Sequence, residues 1–284
     1  MPPPHSLFSL GIFSDVQYAD RENLGKCRYR QSLRYLGEAI ECFNRHDLLA
    51  VVNLGDIVDS NQDVHLDAVL GVLTLCAHPF VHVLGNHDLA GPLGRQELAS
   101  RLGIANIAGE RLRQDGWRVI AVDSTEVSVD CSDLLGVQAG RDLAQLRLQR
   151  DPSAQCWNGR AGDSQMLQLE RQLVDADGCG EHALILNHMV ANPHSGSPRH
   201  QCWNHSSLRQ ILIRHPSAVA HFNGHDHDGG FATDPLSGIH YLTLPAICDS
   251  GEELGAHAIA HFSRDSITIE GWGRISSRVL RCRN

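Results

Sequence analysis

Lysine is nearly missing from this chain: Lys26 stands alone among 24 basic residues, and the rest are arginine. No block of basic residues occurs, and the formal net charge is −9. Both facts argue against a nucleic-acid or membrane-surface partner, since each attracts positive charge. The arginine bias is compositional and carries no chemistry of its own. No apolar stretch approaches membrane-spanning length. Met1–Leu10 has no basic residue ahead of the short apolar run Leu7–Ile12, so a secretory leader is not expected and a cytoplasmic location is. The nine cysteines are odd in number and contain no CxxC pair, so reduced thiols are expected. Internal repeats, low-complexity stretches and linkers are also lacking, which predicts one domain over residues 1–284.

What is present is an alternation of short apolar runs with longer amphipathic segments, the pattern of an α/β protein. Leu7–Phe13 reads as a buried strand, followed by a helix whose face repeats at Tyr29, Leu33, Leu36, Ile40 and Phe43. A strand at Leu48–Asn53, a helix at Val64–Leu75 and a strand at Phe80–Leu84 repeat the unit. Asp115-Gly116 sits between two β-prone runs and predicts a tight hairpin over Arg111–Val122. Ser124–Gly162 is polar with only a weak helical period near Leu143–Leu148, and reads as an insertion or lid. Asp163 is the expected N-cap of a helix over Ser164–Val174, with a strand at Ala183–Leu186 after it. A helix at Ser206–Arg214 then precedes strands at Val219–Phe222, Ile239–Leu244, Ala256–Phe262 and Ser266–Glu270.

Polar clusters fall at the ends of these strands, where an open α/β sheet places its ligand crevice. Asp15-Val16-Gln17 follows the first strand; alone it is weak, because an Asp closing a strand is more often a turn residue. Gly55-Asp56-Ile57-Val58-Asp59 and Gly85-Asn86-His87-Asp88 each open on a glycine that permits a sharp turn. An Asp there is able to bridge two cations and an Asn oxygen to serve as a neutral ligand. Asn187-His188 and Gly224-His225-Asp226-His227 add imidazoles after two later strands. His87 is the candidate general acid, with Asp59 accepting from its other ring nitrogen. Among the 18 histidines, His46, His65, His78, His82 and His240 are read as surface or core residues, and His194, His200 and His205 are left unassigned.

Taken in order, these five motifs resemble those of the calcineurin-like metallophosphoesterase superfamily. The resemblance spans residues 15 to 227. It implies a four-layer α/β/β/α sandwich, with Asp15, Gln17, Asp56 and His227 on one metal and Asp56, Asn86, His188 and His225 on the other. The commoner pattern has Asp-x-His where this chain has Asp15-Val16-Gln17; an amide oxygen makes the site harder and favours manganese or magnesium over iron or zinc. The same Gln, together with Phe13–Asp20, Arg28–Leu33, Cys202–Asn204 and Gly224–Gly230, is similar to manganese-dependent ADP-ribose/CDP-alcohol diphosphatases. That similarity implies two divalent ions, manganese first, and a small-molecule nucleoside diphosphate derivative as partner. Arg28, Arg30 and the Cys202–His205 loop are candidate substrate contacts. Phosphomonoesters, phosphoproteins or cyclic nucleotides are the alternative substrates, and a non-catalytic metal- or nucleotide-binding module is the alternative class, which the intact His87 and Asp59 disfavour. Oligomeric state is not legible.

Overall fold

The computed structural model describes residues 6–131, 133–249 and 255–283. In chain order the elements are β1 (Phe8–Phe13), α1 (Tyr29–Phe43), β2 (Ala50–Asn53), α2 (Asp63–Leu73), β3 (Phe80–His82), α3 (Asn86–Leu89), α4 (Arg95–Arg101), β4 (Gly109–Gln114), β5 (Trp117–Ala121), β6 (Val127–Ser128) and α5 (Leu134–Leu148). They continue as β7 (Gly159–Arg160), α6 (Asp163–Cys179), β8 (His182–Leu186), α7 (His205–Arg214), β9 (Ala218–Asn223), β10 (Gly230–Thr233), β11 (His240–Thr243), β12 (Ala256–Phe262), β13 (Ser266–Gly273) and β14 (Arg278–Arg281).

Two six-stranded mixed sheets result, ordered β14-β13-β12-β1-β2-β3 and β10-β11-β9-β8-β5-β4. Strands β1, β2 and β3 are parallel, as are β5, β8, β9 and β11. The two sheets share one buried apolar cluster, in which the Trp117 ring meets the edge of Phe262 at 5.0 Å and its indole N–H donates to Ser263 O. Outside the first sheet, Phe43 of α1 packs on Phe13; outside the second, Leu169 and Leu173 of α6 and Leu208 and Leu212 of α7 pack on Ile120 and Ile185. The layers therefore run α/β/β/α, as the resemblance implied. Among the described residues no helix is long and apolar enough to cross a membrane.

Two local expectations need correction, and two strands carried no sequence signal. Asp163 lies inside α6, whose N-cap is Gly162, and the helix runs on to Cys179, where Gly180 ends it in the left-handed conformation at φ 65°. In the insertion, α5 is far longer than its sequence signal because Leu134, Val137 and Leu148 face solvent and erase the amphipathic period; the Asp133 carboxylate caps it by accepting from Leu135 N–H. The glycine-led edge strand β10 and the arginine-flanked β14 lack the apolar runs that marked the other strands.

Burial of unpaired histidines makes the fold acid-sensitive. Neither ring nitrogen of His221 or His257 has a hydrogen-bond partner. Burial pushes His221 down to about 3, and burial, with Arg111 and Arg45 nearby, pushes His82 and His257 down to about 4. The unfolded chain titrates them near about 6.5, so below that pH it binds more protons than the fold. Stability is therefore present above pH 6.5 and drains as pH falls toward 4, by up to about 1.4 kcal/mol per unit for each fully neutral ring. Urea midpoints at stepped pH are expected to fall over this range, and to fall less steeply in His221→Leu; equal slopes would discard the assignment.

Candidate metal centre

The parallel strands of both sheets deliver their following residues to one edge: Asp15 and Gln17 after β1, Asp56 after β2, Asn86 after β3, His188 after β8, and His225 and His227 after β9. The backbone bends sharply there. Six non-glycine residues have positive φ among those described, and four are Asp15 (52°), Gln17 (43°), Asp56 (54°) and His225 (69°). Such left-handed residues persist only where their surroundings fix them. Gly55 (φ 104°) and Gly85 permit the crowding: a Cβ at 55 would fall 2.5 Å from His188 Nδ1, and one at 85 would fall 2.1 Å from Asp56 Oδ1.

Asp56 is fully buried at the centre. Its Oδ1 accepts from His87 N–H at 2.8 Å, and its Oδ2 lies 3.3 Å from Gln17 Nε2 and 3.2 Å from His188 Nε2. His188 donates through Nδ1 to Leu54 O at 2.8 Å, which aims Nε2 at Asp56 and at Asn86 Oδ1, 3.3 Å away. Donor atoms of Asp56, His188 and His225 lie within 4.8 Å of one another. Asp15 accepts from His225 N–H at 3.0 Å and from the Ser14 hydroxyl, and its Oδ1 stands 3.8 Å from His227 Nε2. The structure thus brings all seven candidate ligands together.

Charge balance tests whether cations fit. Burial raises Asp15, whereas Asp56 is held below the usual range because the positive charges of His188 and His87 outweigh its burial. Against burial, Asp56 drives His188 up to about 9, and Asp249 with Asp15 drives His227 up to about 9. Burial and the neighbouring His188 charge instead hold His225 well below its ordinary value. Protons on two imidazoles balance the buried carboxylates here, and divalent cations supply the same charge to a matching oxygen-and-imidazole donor set. The residues fit. Gln17 differs from expectation in one respect: its amide nitrogen, not its oxygen, faces Asp56, because a carboxylate attracts N–H and repels a carbonyl. Turning the amide about its last torsion exchanges the two.

His87 Nδ1 lies 2.9 Å from the backbone oxygen of Asp59 and 3.4 Å from its Oδ1, while Oδ2 of Asp59 pairs with Arg21 at 2.9 Å. Burial would lower the His87 pKa, but the Asp56 charge and the Asp59 contacts raise it overall.

Three supporting residues had no assigned role. Asp88 accepts from Gly85, Asp56 and Ile57 N–H groups at 2.7–2.9 Å and ties two ligand loops together. Asn158, from the insertion, meets His225 Nε2 at 2.8 Å, and Asp249 meets His227 Nδ1 at 3.3 Å. Position after a strand was the available signal for Asp249; Asn158 had none. The candidate substrate contacts are mostly committed elsewhere. Arg30 pairs with Asp20 and Glu22, Arg28 donates to Gly25 O, and Trp203 is buried with its N–H on Ser153 O.

Two cavities meet at the centre, both lined by Gln17, His87 and His227. One, of about 420 Å³, is walled by Ala90, Val129, Cys156 and Trp157; the other, of about 440 Å³, by Lys26, Tyr29, His200 and Asp228. A larger hollow of about 790 Å³ along residues 89–97 and 126–135 contains none of the seven ligands, so the chemistry belongs to the smaller pair.

A family model described as calcineurin-like phosphoesterase matches residues 8–229. Two curated relatives carry the name manganese-dependent ADP-ribose/CDP-alcohol diphosphatase. The Danio rerio protein is 29% identical, covering 96% of this chain and 98% of its own. The Arabidopsis thaliana protein is also 29% identical, covering 84% and 86%. The crystal structure of a dimetal phosphatase from Danio rerio superposes with a TM-score of 0.89 at 28% identity, covering 98% of this chain and all of that one.

Proposed function

Because the chain belongs to the calcineurin-like phosphoesterase family, and is a metal-dependent phosphohydrolase, we propose that it cleaves the diphosphate of ADP-ribose or a CDP-alcohol to a nucleoside monophosphate and a phosphorylated product. The observation that carries this reading is the double cavity: chambers of about 420 and 440 Å³ open on either side of Gln17, His87 and His227. A diphosphate with a bulky group at each end fills both, whereas a simple monoester fills one. The relatives' printed names support the same substrates and manganese.

In this proposal Asp15, Gln17, Asp56 and His227 hold one manganese ion and Asp56, Asn86, His188 and His225 the other. When bound, such a pair supplies Lewis-acid charge that polarises the phosphate and lowers the pKa of attacking water. The protein's own part is positioning. Asp88 and the Leu54 carbonyl lock Asp56 and His188, Asn158 and Asp249 orient His225 and His227, and His87 offers a proton to the leaving oxygen from a ring held by Asp59.

The same reading takes residues 1–284 as one domain and Ser124–Gly162 as a wall or lid over the substrate, supported by the cavity-lining Val129, Asp130, Cys156 and Trp157. Deleting α5 from that segment is expected to raise the Michaelis constant; an unchanged value removes the lid role. A cytoplasmic location belongs to the proposal too, supported by nine free cysteines.

The test strips the metals, restores manganese or magnesium, and follows ADP-ribose, CDP-choline and p-nitrophenyl phosphate in parallel. Manganese-dependent release of AMP or CMP is the expected outcome, and turnover confined to the monoester would reject the diphosphatase reading.

A further inference from the structure

Behind Gln17 lies a second group of donors, whose two thiols the proposed reaction leaves unused. Cys27 precedes α1, and Cys248 and Asp249 sit in the turn Ile247–Asp249 that follows β11. One donor atom from each of Cys27, Cys248 and Asp249 lies within 4.8 Å of the others. The main chain fixes this meeting: Arg28 N–H donates to Cys248 O at 2.7 Å and Cys248 N–H to Asp15 O at 3.1 Å.

His227 stands beside two members of this group. Its Nδ1 is 3.8 Å from Cys248 Sγ and 3.3 Å from Asp249 Oδ2, and Cys248 Sγ is 3.5 Å from Asp249 Oδ1. A tetrahedral zinc ion, with Zn–S of about 2.3 Å and Zn–N or Zn–O of about 2.0–2.1 Å, holds its donors roughly 3.3–3.8 Å apart. The His227–Cys248 spacing already matches such an edge, and the Asp249 carboxylate meets the other two at similar spacings through its two oxygens, Oδ2 toward His227 and Oδ1 toward Cys248. Cys27, His227 and Asp249 also line the cavity of about 440 Å³, which gives an ion a path in from solvent.

Sulfur distinguishes this group from the seven oxygen and imidazole ligands beside it. Thiolate selects zinc-like cations, while oxygen donors suit manganese and magnesium. We propose that Cys27, Cys248, Asp249 and Nδ1 of His227 form a third cation site, specific for thiophilic ions of the zinc class. A neutral imidazole offers one lone pair. An ion in this site therefore withdraws His227 from the manganese pair, and zinc acts as an antagonist of the metal that drives the reaction. The cation specificity does not depend on which phosphate compound is hydrolysed.

Cadmium is a thiophilic stand-in for zinc whose bonds to sulfur absorb in the ultraviolet. Titrating Cd²⁺ into the metal-free protein is expected to raise a sulfur-to-cadmium charge-transfer band that saturates at an equimolar ratio. The band should be unchanged in Cys179→Ser, where the thiol is exposed at the end of α6, and lost in Cys27→Ser and Cys248→Ser. Anomalous diffraction from cadmium-soaked wild-type crystals gives a readout independent of how the variants fold, and a peak bonded to both sulfurs is expected. A wild type without the band, a band that survives both serine variants, or an anomalous peak away from the two sulfurs overturns the proposal.

Discussion

Asp56→Asn is expected to lower kcat by about a thousandfold or more and to abolish the thermal stabilisation that manganese gives the wild type. The substitution keeps the volume and one oxygen, so the His87 N–H retains an acceptor. What it removes is the negative charge at the point where Gln17, His87 and His188 converge. Without that charge His188 loses the main influence raising its pKa against burial, and the ligand proposed to bridge the cation pair is gone. Metal-ion charge stabilisation is worth several kcal/mol in such transition states, and each 1.4 kcal/mol is a factor of ten in rate, so three orders of magnitude is the scale expected. Calorimetric titration with manganese, paired with thermal unfolding with and without the ion, separates lost ligation from lost folding. A variant that still binds two ions and turns over at more than a tenth of the wild-type rate would remove Asp56 from the bridging role.

The ligand clusters were legible because each follows an apolar run short enough to be a strand and buried enough to be central, as at Phe8–Phe13 before Asp15 and Ala218–Asn223 before His225. Chain order could not reveal which side chains face each other across the edge shared by the sheets. His188 reaches Leu54 and Asp56 across more than 130 residues, a pairing that only the closing of two sheets on one core creates. Asn158 was illegible for another reason. It sits in a segment whose helix exposes apolar residues and whose return to the site depends on the two-residue ladder of β6 with β7. The ion pairs of Arg30 with Asp20 and Glu22 and the bond of Arg28 to Gly25 O leave no trace in motif spacing, and neither does the place of Lys26 in the cavity wall.

His87→Ala is expected to lower kcat for ADP-ribose or CDP-choline by about a hundredfold to ten-thousandfold with manganese affinity largely kept, since the ring is a candidate proton donor and not one of the seven ligands. The leaving group decides between proton donation and mere support. Among phosphate monoesters an alkoxide leaving group needs the proton, whereas p-nitrophenolate departs without it, so the loss should be much larger for an alkyl ester than for the nitrophenyl ester. An equal loss on both would place His87 in structure rather than in proton transfer. Asp59→Asn supplies the second arm. Because His87 Nδ1 contacts the Asp59 backbone oxygen at 2.9 Å and the carboxylate only at 3.4 Å, the main chain by itself keeps the ring oriented. The asparagine variant should therefore lose far less than His87→Ala, and its chief effect should be on the proton held by the ring, from which one of three influences raising the His87 pKa is withdrawn while Asp56 and the backbone contact persist. A loss in Asp59→Asn as large as in His87→Ala would show that the carboxylate, and not the main chain, positions the acid.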